Sequence, residues 1–210
     1  MMKAVGKESH MERTANEPRN AQMHVVTLGS SRQVNDNIKV FRLRIPDGSS
    51  IEFLPGQWLD TFVPGVAKPG GFTITSTPSK ARLLTSPYIE LAVQNSPSNP
   101  PAAWLWNSTS FGAHLLVRVG GAFVWPAPGI DLVSLRRVVL VAGGVGINPL
   151  MSILEYLVET ACSLEIQLLY SIKTPETVDP SKILFLERLV SIYGCRQMML
   201  DDVAEALGPK

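Results

Sequence analysis

Short runs of β-branched, aromatic and other apolar residues recur along the first part of the chain, separated by turn-forming residues. In residues 38–45 the apolar Phe41 and Leu43 alternate with Arg42 and Arg44, which is the pattern of a strand with one buried face. Asn, Asp and Gly cluster between the runs and favour turns, because they bond to nearby backbone or tolerate positive φ. Six strands are predicted, at residues 24–28, 38–45, 57–63, 71–76, 88–94 and 114–119. Their number and spacing indicate a small closed antiparallel barrel.

The second part of the chain has a different pattern. Residues 138–142 form an unbroken apolar run, which is typical of a strand buried on both faces of a parallel sheet. The apolar positions of residues 147–158 fall on one helical face, and residues 165–171 form a second apolar strand. This order predicts a βαβ unit with parallel strands. Further helices are predicted at residues 181–193 and 203–207.

A chain of 210 residues is long enough for two small domains. We predict a disordered tail at residues 1–21, a barrel at residues 22–128 with a short helix at residues 101–107, and a partial α/β domain at residues 136–210. The first twenty residues mix Lys, Arg and Glu without an apolar run, so they predict neither a secretory signal nor a clear transit peptide.

Composition and charge exclude several classes of protein. Hydrophobic residues at 45% and charged residues at 18% are typical of a folded chain rather than a disordered one. The net charge of +1 is too small to steer the whole protein onto nucleic acid or anionic lipid, so we expect a locally bound ligand and no nucleic-acid partner. Gly and Pro interrupt the longest uncharged run, residues 138–154, and a membrane helix needs about 20 apolar residues, so no membrane span is expected.

The residues that carry metal or hydrolytic chemistry are scattered or missing. The three histidines are far apart in the sequence, so no metal site is predicted. No serine lies in a Gly-x-Ser-x-Gly elbow and no close acid pair is evident. Cys162 and Cys195 are too few for a disulfide framework, which fits a reducing, intracellular compartment.

The strongest chemical signal is the glycine-rich turn GGVGINP at residues 143–149. It lies between the predicted buried strand and the amphipathic helix, where an open α/β sheet presents backbone N–H groups to an anion. Gly144 and Gly146 are the first two glycines of a GxGxxG pattern, and Pro149 takes the third position. No Lys-Ser/Thr pair follows, which excludes a P-loop of the NTPase kind. The turn predicts a pyrophosphate site, and a purely structural turn is the alternative.

The order of barrel, GGVGINPLMSI, apolar strand and YSIKTPETVDPSKILFLERL resembles the ferredoxin-NADP reductase superfamily. The match spans roughly residues 22–189, and HMERTA, FxPGQWLD, GGFTITSTP, IELAV, VRVGGAF and VAGGVGINPL look like one particular member. The resemblance implies a two-domain fold, with a six-stranded Greek-key flavin-binding barrel followed by an incomplete α/β nucleotide-binding domain. It implies a flavin-linked oxidoreductase that takes hydride from NAD(P)H and passes electrons to an acceptor that the sequence does not name.

The resemblance also assigns residues to the flavin. The family's Arg-Xaa-Tyr-Ser segment reads Gly-Gly-Phe-Thr here, so Phe72 is expected to stack on the flavin and Thr73 to act as the catalytic hydroxyl near its reactive nitrogen. Gly70 replaces the arginine and cannot supply the charge that a phosphate needs. Lys68 or Arg82 is the candidate replacement. FAD binding is therefore an expectation from resemblance alone.

For the nicotinamide nucleotide the agreement with the family is better. The resemblance favours NAD and leaves NADP open, because Lys173 either pairs with a 2′-phosphate or is an ordinary solvated lysine. The residues expected to bind the dinucleotide are Gly143, Gly144, Val145, Gly146, Ile147 and Asn148.

The family's Cys-Gly-Pro-Pro-Xaa-Met turn beside the nicotinamide is not evident in this chain. The sequence favours a chain truncated at its C-terminus over a compact rearranged site, and CRQMM at residues 195–199 is only a partial echo. The alternative function is therefore a catalytically impaired protein that binds a nucleotide or a partner. A parallel sheet with two strands has an open edge, where a partner is expected. The resemblance implies a mitochondrial location.

Overall fold

The computed structural model describes residues 9–108, 111–161, 163–173 and 179–196, and the helix predicted at residues 203–207 lies outside them. All six predicted strands of the first part are confirmed, although the first continues beyond its predicted end. They are β1 (His24–Asn35), β2 (Ile38–Arg44), β3 (Trp58–Phe62), β4 (Gly70–Thr73), β5 (Tyr88–Gln94) and β6 (His114–Gly120).

These strands form one antiparallel sheet in the order β4-β3-β6-β1-β2-β5. Its two outer strands meet just after β4, where Ile74 pairs with Leu91 and the Thr75 N–H donates to the Glu90 carbonyl at 2.8 Å. The sheet is therefore closed into a barrel. Its interior is filled by apolar side chains, among them Val26, Leu28, Phe41, Leu43, Leu59, Ile89, Leu115 and Val117.

The N-terminal segment, residues 9–20, lies against the outside of the barrel, which differs from the disordered tail predicted for residues 1–21. It begins with α1 (His10–Arg13), whose capping box joins Ser9 and Glu12 reciprocally. The Asn20 N–H then donates to the Val119 carbonyl at 2.9 Å, which ties the segment to the end of β6. The low hydrophobicity of these residues suggested disorder, but capping and polar contacts hold residues 9–20 in place instead.

A second helix, α2 (Pro100–Asn107), covers one end of the barrel, as the sequence predicts. Its two tryptophans, Trp104 and Trp106, pack on the barrel core. The indole N–H of Trp106 donates to the Val93 carbonyl at 3.2 Å, so its polar edge is satisfied as well.

The second part of the chain contains β7 (Arg137–Gly143), α3 (Ile147–Glu159), β8 (Glu165–Ser171) and α4 (Leu186–Arg196). The two strands pair in parallel, which confirms the predicted βαβ unit. The last helix begins later than predicted, because residues 180–182 form a separate 3-10 turn in which Asp179 accepts the Ser181 N–H at 3.0 Å.

Only one face of this two-stranded sheet is covered within the described residues. On the covered face Leu140 and Ala142 are buried with the apolar side of α3. On the other face Val139 is 49% exposed and Val141 is 68% exposed. The apolar run predicted the strand correctly. It also predicted burial of both faces, which is wrong for the described residues, because no element among them covers the second face.

The segment between the barrel and β7 runs over the surface. Residues 129–134 are all exposed, and Val133 is 96% exposed. We expect limited proteolysis to cut this segment first, because a protease needs exposed, locally deformable backbone. Gel electrophoresis and mass spectrometry should show two fragments that result from cleavage near residue 134. Equal cleavage along the whole chain would contradict this expectation.

Helix α3 is fixed to the barrel by two buried polar contacts. The Asn148 side-chain N–H donates to the Ala92 carbonyl at 2.9 Å, and the Ser152 hydroxyl donates to the Ser76 carbonyl at 2.7 Å. Asn148 and Ser152 are one turn apart, so both lie on the side of α3 that faces the barrel. These contacts position the start of α3, and with it the glycine-rich turn.

Replacing Ser152 with alanine should lower the free energy of unfolding by about 1–3 kcal/mol, because the buried Ser76 carbonyl loses its donor. Ser163→Ala is the matched control, since Ser163 is exposed just beyond the same helix. Denaturant unfolding of both variants measures the difference. Identical unfolding midpoints would show that this contact does not stabilise the protein.

Candidate nucleotide-binding site

The glycine-rich turn connects β7 directly to α3 and is open to solvent. A 3-10 turn over Gly144–Gly146 follows the strand, and Gly144 has φ of +51°, a backbone conformation that favours glycine. The helix that follows has no side-chain cap and no acidic residue in its first turn. The Ile147 N–H donates to the Gly144 and Val145 carbonyls, and Pro149 has no N–H, so an anion would meet mainly the amides of the turn itself, at the positive end of the helix dipole.

Two of the three glycines are not required by the fold itself. Gly143 and Gly146 have φ of −126° and −62°, which other residues adopt readily. A Cβ added at Gly143 or Gly146 would have no atom within 4 Å. Neither backbone strain nor packing therefore explains why glycine occurs there. Nucleotide-binding turns use glycine at such positions to let a ligand approach the main chain.

The other residues expected to bind the dinucleotide have side chains directed to the interior. Ile147 is fully buried, and Val145 packs against the core of the α/β part. Asn148 is buried and its side-chain N–H donates to the Ala92 carbonyl, while its Oδ1 has no partner among the described residues. These three residues shape and anchor the turn, which leaves Gly143, Gly144 and Gly146 as its exposed part.

The end of β8 lies beside the turn, because Ser171 pairs in register with Gly143. Tyr170, just before it, is half-buried, and burial raises the pKa of its phenol to about 12, so this side chain is neutral. Lys173 is exposed two residues beyond the strand. Residues 174–178 lie outside the described part of the chain, and the role of Lys173 towards a 2′-phosphate stays a prediction.

The pair of glycines on β4 has a packing role that the sequence did not reveal. A Cβ at Gly70 would lie 2.7 Å from the Phe72 ring and 2.8 Å from the Cβ of Pro101. A Cβ at Gly71 would overlap the imidazole of His10. Phe72 is consequently 8% exposed and belongs to the barrel core, and Thr73 is half-buried.

The residues around Gly70 do not fit a flavin phosphate bound in the family's manner. The first two residues of α2 are Pro100 and Pro101, which have no N–H to donate. Arg82 pairs with Glu52 at 3.9 Å. Lys68 lines a cavity of about 450 Å³ beside α2, but it pairs with Glu12 at 3.3 Å. Phe72 is covered as well, so the described residues around β4 present no open ring face to a flavin. Arg13, which also lines this cavity, is a further cation near Gly70 that the sequence did not indicate.

A buried ionic network joins the N-terminal segment to the barrel, and the sequence pattern did not predict it. Asp60 on β3 is fully buried, and His10 contacts its Oδ1 at 2.8 Å. Arg19 and Arg118 donate to its Oδ2 at 2.9 and 2.7 Å. Burial alone would raise the pKa of this carboxyl, but hydrogen bonds from Arg118, Arg19 and His10 outweigh it and lower the pKa. A single charged residue in the otherwise uncharged segment WLDTF was the available signal.

The described residues, 9–196 with their gaps, contain neither a metal-ligand cluster nor a membrane-spanning helix. No group of three His, Cys, Asp or Glu side chains among them is placed as metal ligands would be. No helix in this part of the chain is both long and apolar enough to cross a membrane.

Comparison with known proteins relates the chain to a family of oxidoreductases. No protein-family profile matches the chain. Human oxidoreductase NAD-binding domain-containing protein 1 is 41% identical over 157 residues, which cover 74% of this chain and 48% of that protein. The chain therefore spans about half the length of this curated relative.

Solved structures with the same fold are reductases and related electron-transfer proteins. Phthalate dioxygenase reductase, described as a modular structure for electron transfer from pyridine nucleotides to [2Fe-2S], has a TM-score of 0.64 at 20% identity, covering 80% of this chain and 48% of that one. The CS-b5R domains of human Ncb5or, in the NAD+ form, have a TM-score of 0.66 at 20% identity, and the match covers 84% of this chain and 49% of that one. With its barrel and its βαβ unit the chain has the fold of ferredoxin-NADP reductase-type proteins, and by sequence it is related to oxidoreductase NAD-binding domain-containing protein 1.

Proposed function

We propose that this chain is the nucleotide-binding part of an oxidoreductase and binds NADH, or NADPH, with the pyrophosphate against residues 143–148. The observation that carries this proposal is the pair of exposed glycines, Gly143 and Gly146, which neither strain nor packing requires. The NAD-binding name of the human relative supports it. The nicotinamide supplies the hydride chemistry when it is bound.

The protein's own contribution is to bind and orient the dinucleotide. Main-chain N–H groups of the glycine-rich turn, just ahead of α3, donate to phosphate oxygens, and each hydrogen bond to a charged group is worth about 1.5–3 kcal/mol. The absence of acidic side chains from the first turn of α3 removes a source of repulsion. Asn148 and Ser152 fix the helix on the barrel, so the turn keeps its place relative to β4 and β5.

This proposal has two versions, which differ in whether the barrel carries a flavin to accept the hydride. The family resemblance favours a flavin on the barrel, with Phe72 and Thr73 beside it. The covered Phe72 and the missing cation at Gly70 favour the alternative, a nucleotide-binding or partner-binding protein without turnover. In either version a partner is expected at the open edge of the β7–β8 sheet, and the uncovered face with Val139 and Val141 adjoins that edge.

One experiment distinguishes the two versions. The purified chain is examined for flavin absorbance, with and without added FAD and desalting, and NADH is then added without oxygen. Retained yellow colour that NADH bleaches supports the flavin-linked oxidoreductase. Binding of NADH without retained flavin supports the nucleotide-binding alternative. A folded chain that neither retains flavin nor binds NADH or NADPH contradicts both.

A further inference from the structure

A second cavity, of about 540 Å³, lies between the barrel and the helices of the α/β part. Its barrel side is formed by the outer face of β1, β2 and β5, and Glu155 of α3 and Arg188 of α4 line the opposite side. This volume is in the range of pockets that bind small molecules. The cavity is not part of the glycine-rich turn.

The length of α3 separates this cavity from the glycine-rich turn. Glu155 lines the cavity, whereas Gly146 precedes the first helical residue. Nine residues of helix at 1.5 Å each correspond to about 13 Å. A dinucleotide phosphate at the turn and a ligand in this cavity would therefore contact different residues.

The lining of the cavity is dominated by positive charge. It contains four cationic side chains and two carboxylates: Arg32, Arg42, Lys80 and Arg188 against Glu90 and Glu155. The single guanidinium of Arg188 contacts both carboxylates, at 2.5 Å from Glu90 and 2.7 Å from Glu155. Arg188 therefore forms ion pairs with both carboxylates of the lining. Lys80 pairs with a third carboxylate, Glu159, at 3.6 Å.

Arg32 and Arg42 are the cations left to face a ligand. Arg42 is 3.4 Å from Glu90, a longer contact than that of Arg188, and its guanidinium lies 4.6 Å from the Tyr88 ring centroid. In the register of β1 and β2, Ser30 is opposite Arg42 and Arg32 is opposite Val40. Residues two apart on a strand share a face, so Ser30 and both arginines are on one surface.

We propose that this cavity binds a small dianion, namely a phosphate group, which Arg32 and Arg42 contact from β1 and β2. Planar guanidinium groups suit phosphate because they donate two parallel hydrogen bonds. The lining has an excess of positive charge even when Glu159, the partner of Lys80, is counted with Glu90 and Glu155. The hydroxyl of Ser30 adds a neutral donor on the same surface.

Calorimetric titration with inorganic phosphate, and separately with glycerol 3-phosphate, tests the proposal at constant ionic strength. We expect wild-type protein to bind, and Arg32→Gln together with Arg42→Gln to weaken binding by about tenfold or more, since two charge-assisted contacts are lost. Arg44→Gln is the matched control, because Arg44 is exposed on the same strand but does not line the cavity. Binding of the phosphomonoester alone would still support the site and identify an organic phosphate as its ligand.

Two further measurements separate this site from the nucleotide site. Gly146→Val should still bind phosphate in the cavity, and the double arginine variant should still bind NADH. The single variant Arg32→Gln provides a second test if the double variant is unstable, and it should also weaken phosphate binding. No binding by wild-type protein at millimolar phosphate, or equal binding by the arginine variants, would overturn the proposal without affecting the proposed function.

Discussion

Asp60→Ala is expected to lower the free energy of unfolding by about 3–5 kcal/mol, because it removes the carboxylate from a buried ionic network. The side chains of Arg19 and Arg118 are only 12% and 24% exposed, and both donate to Asp60. Without that carboxylate, two guanidinium groups would face each other without a counter-charge. The loss should also release the N-terminal segment, since His10 and Arg19 belong to it.

Denaturant unfolding measures this effect, and Glu52→Gln is its control, because Glu52 is an exposed carboxylate whose contact with Arg82 is 3.9 Å long. The control should change stability by less than about 0.5 kcal/mol, as exposed ion pairs contribute little. Proteolysis within residues 9–20 should become faster in Asp60→Ala than in the control. Equal unfolding midpoints for the two variants would show that the network does not stabilise the fold.

The same network predicts that the protein loses stability in acid. Burial lowers the pKa of His10 from 6.5, despite the opposing effect of Asp60, and burial also lowers that of His24. A histidine with a lowered folded pKa contributes stability above its ordinary pKa and loses it as the pH falls. Asp60, whose pKa is lowered from 3.8, adds a second loss at lower pH. Stability should therefore decline below about pH 6.5, and His10→Gln should reduce the first part of this decline.

Gly146→Val should weaken NADH binding by about 100-fold or more, while the protein stays folded. A Cβ at this position meets no protein atom within 4 Å, and φ of −62° suits a residue with a side chain, so we expect the fold to accommodate valine. The side chain extends into the open space where the pyrophosphate is proposed to approach the main chain, and it displaces the phosphates from the N–H groups of the turn. Valine is a poorer N-cap than glycine, which costs about 1 kcal/mol of stability.

Val141→Thr is the matched control for this prediction. Val141 is 68% exposed on β7, two residues before the turn, and threonine has nearly the same shape. Calorimetry should therefore give the same NADH affinity for Val141→Thr as for wild-type protein. If Gly146→Val binds NADH as tightly as this control, the pyrophosphate does not lie against the turn.

The barrel strands could be predicted because each has its own pattern of apolar and polar residues. Alternation at Phe41 and Leu43 identified β2 without any knowledge of its neighbours. The βαβ unit was predictable for the same reason, since the apolar face of α3 recurs at helical spacing. The glycine-rich turn was found because its position between strand and helix gives the glycines a physical purpose.

Features that depend on contacts between distant residues could not be predicted. The roles of Gly70 and Gly71 become clear only when Phe72, Pro101 and His10 are placed in space. In the sequence, Gly70 is notable only because it replaces the family's arginine. The structure shows that any side chain at this position would collide with Phe72 and Pro101. The exposed side of β7 is a similar case, because an apolar run does not reveal which element covers each face.

The N-terminal segment shows why composition alone is a poor guide to disorder. Residues 9–20 contain little apolar surface, but Ser9 and Glu12 cap a helical turn and Arg19 reaches a buried carboxylate. These contacts are local or ionic, and hydrophobicity does not detect them. The Ser-x-x-Glu pattern at residues 9–12 was the available sign of a helix start.

Binding of a nicotinamide nucleotide, with its diphosphate against the main chain of residues 143–148, is the property on which the proposed function depends. Backbone amide NMR of the wild-type chain, titrated with NADH and then NADPH, tests it most directly. We predict saturable shifts that are largest for the amides of residues 143–148, while those around Arg32 and Arg42 change little. Saturating NADH and NADPH that leave the amides of residues 143–148 unchanged on a folded chain would contradict it.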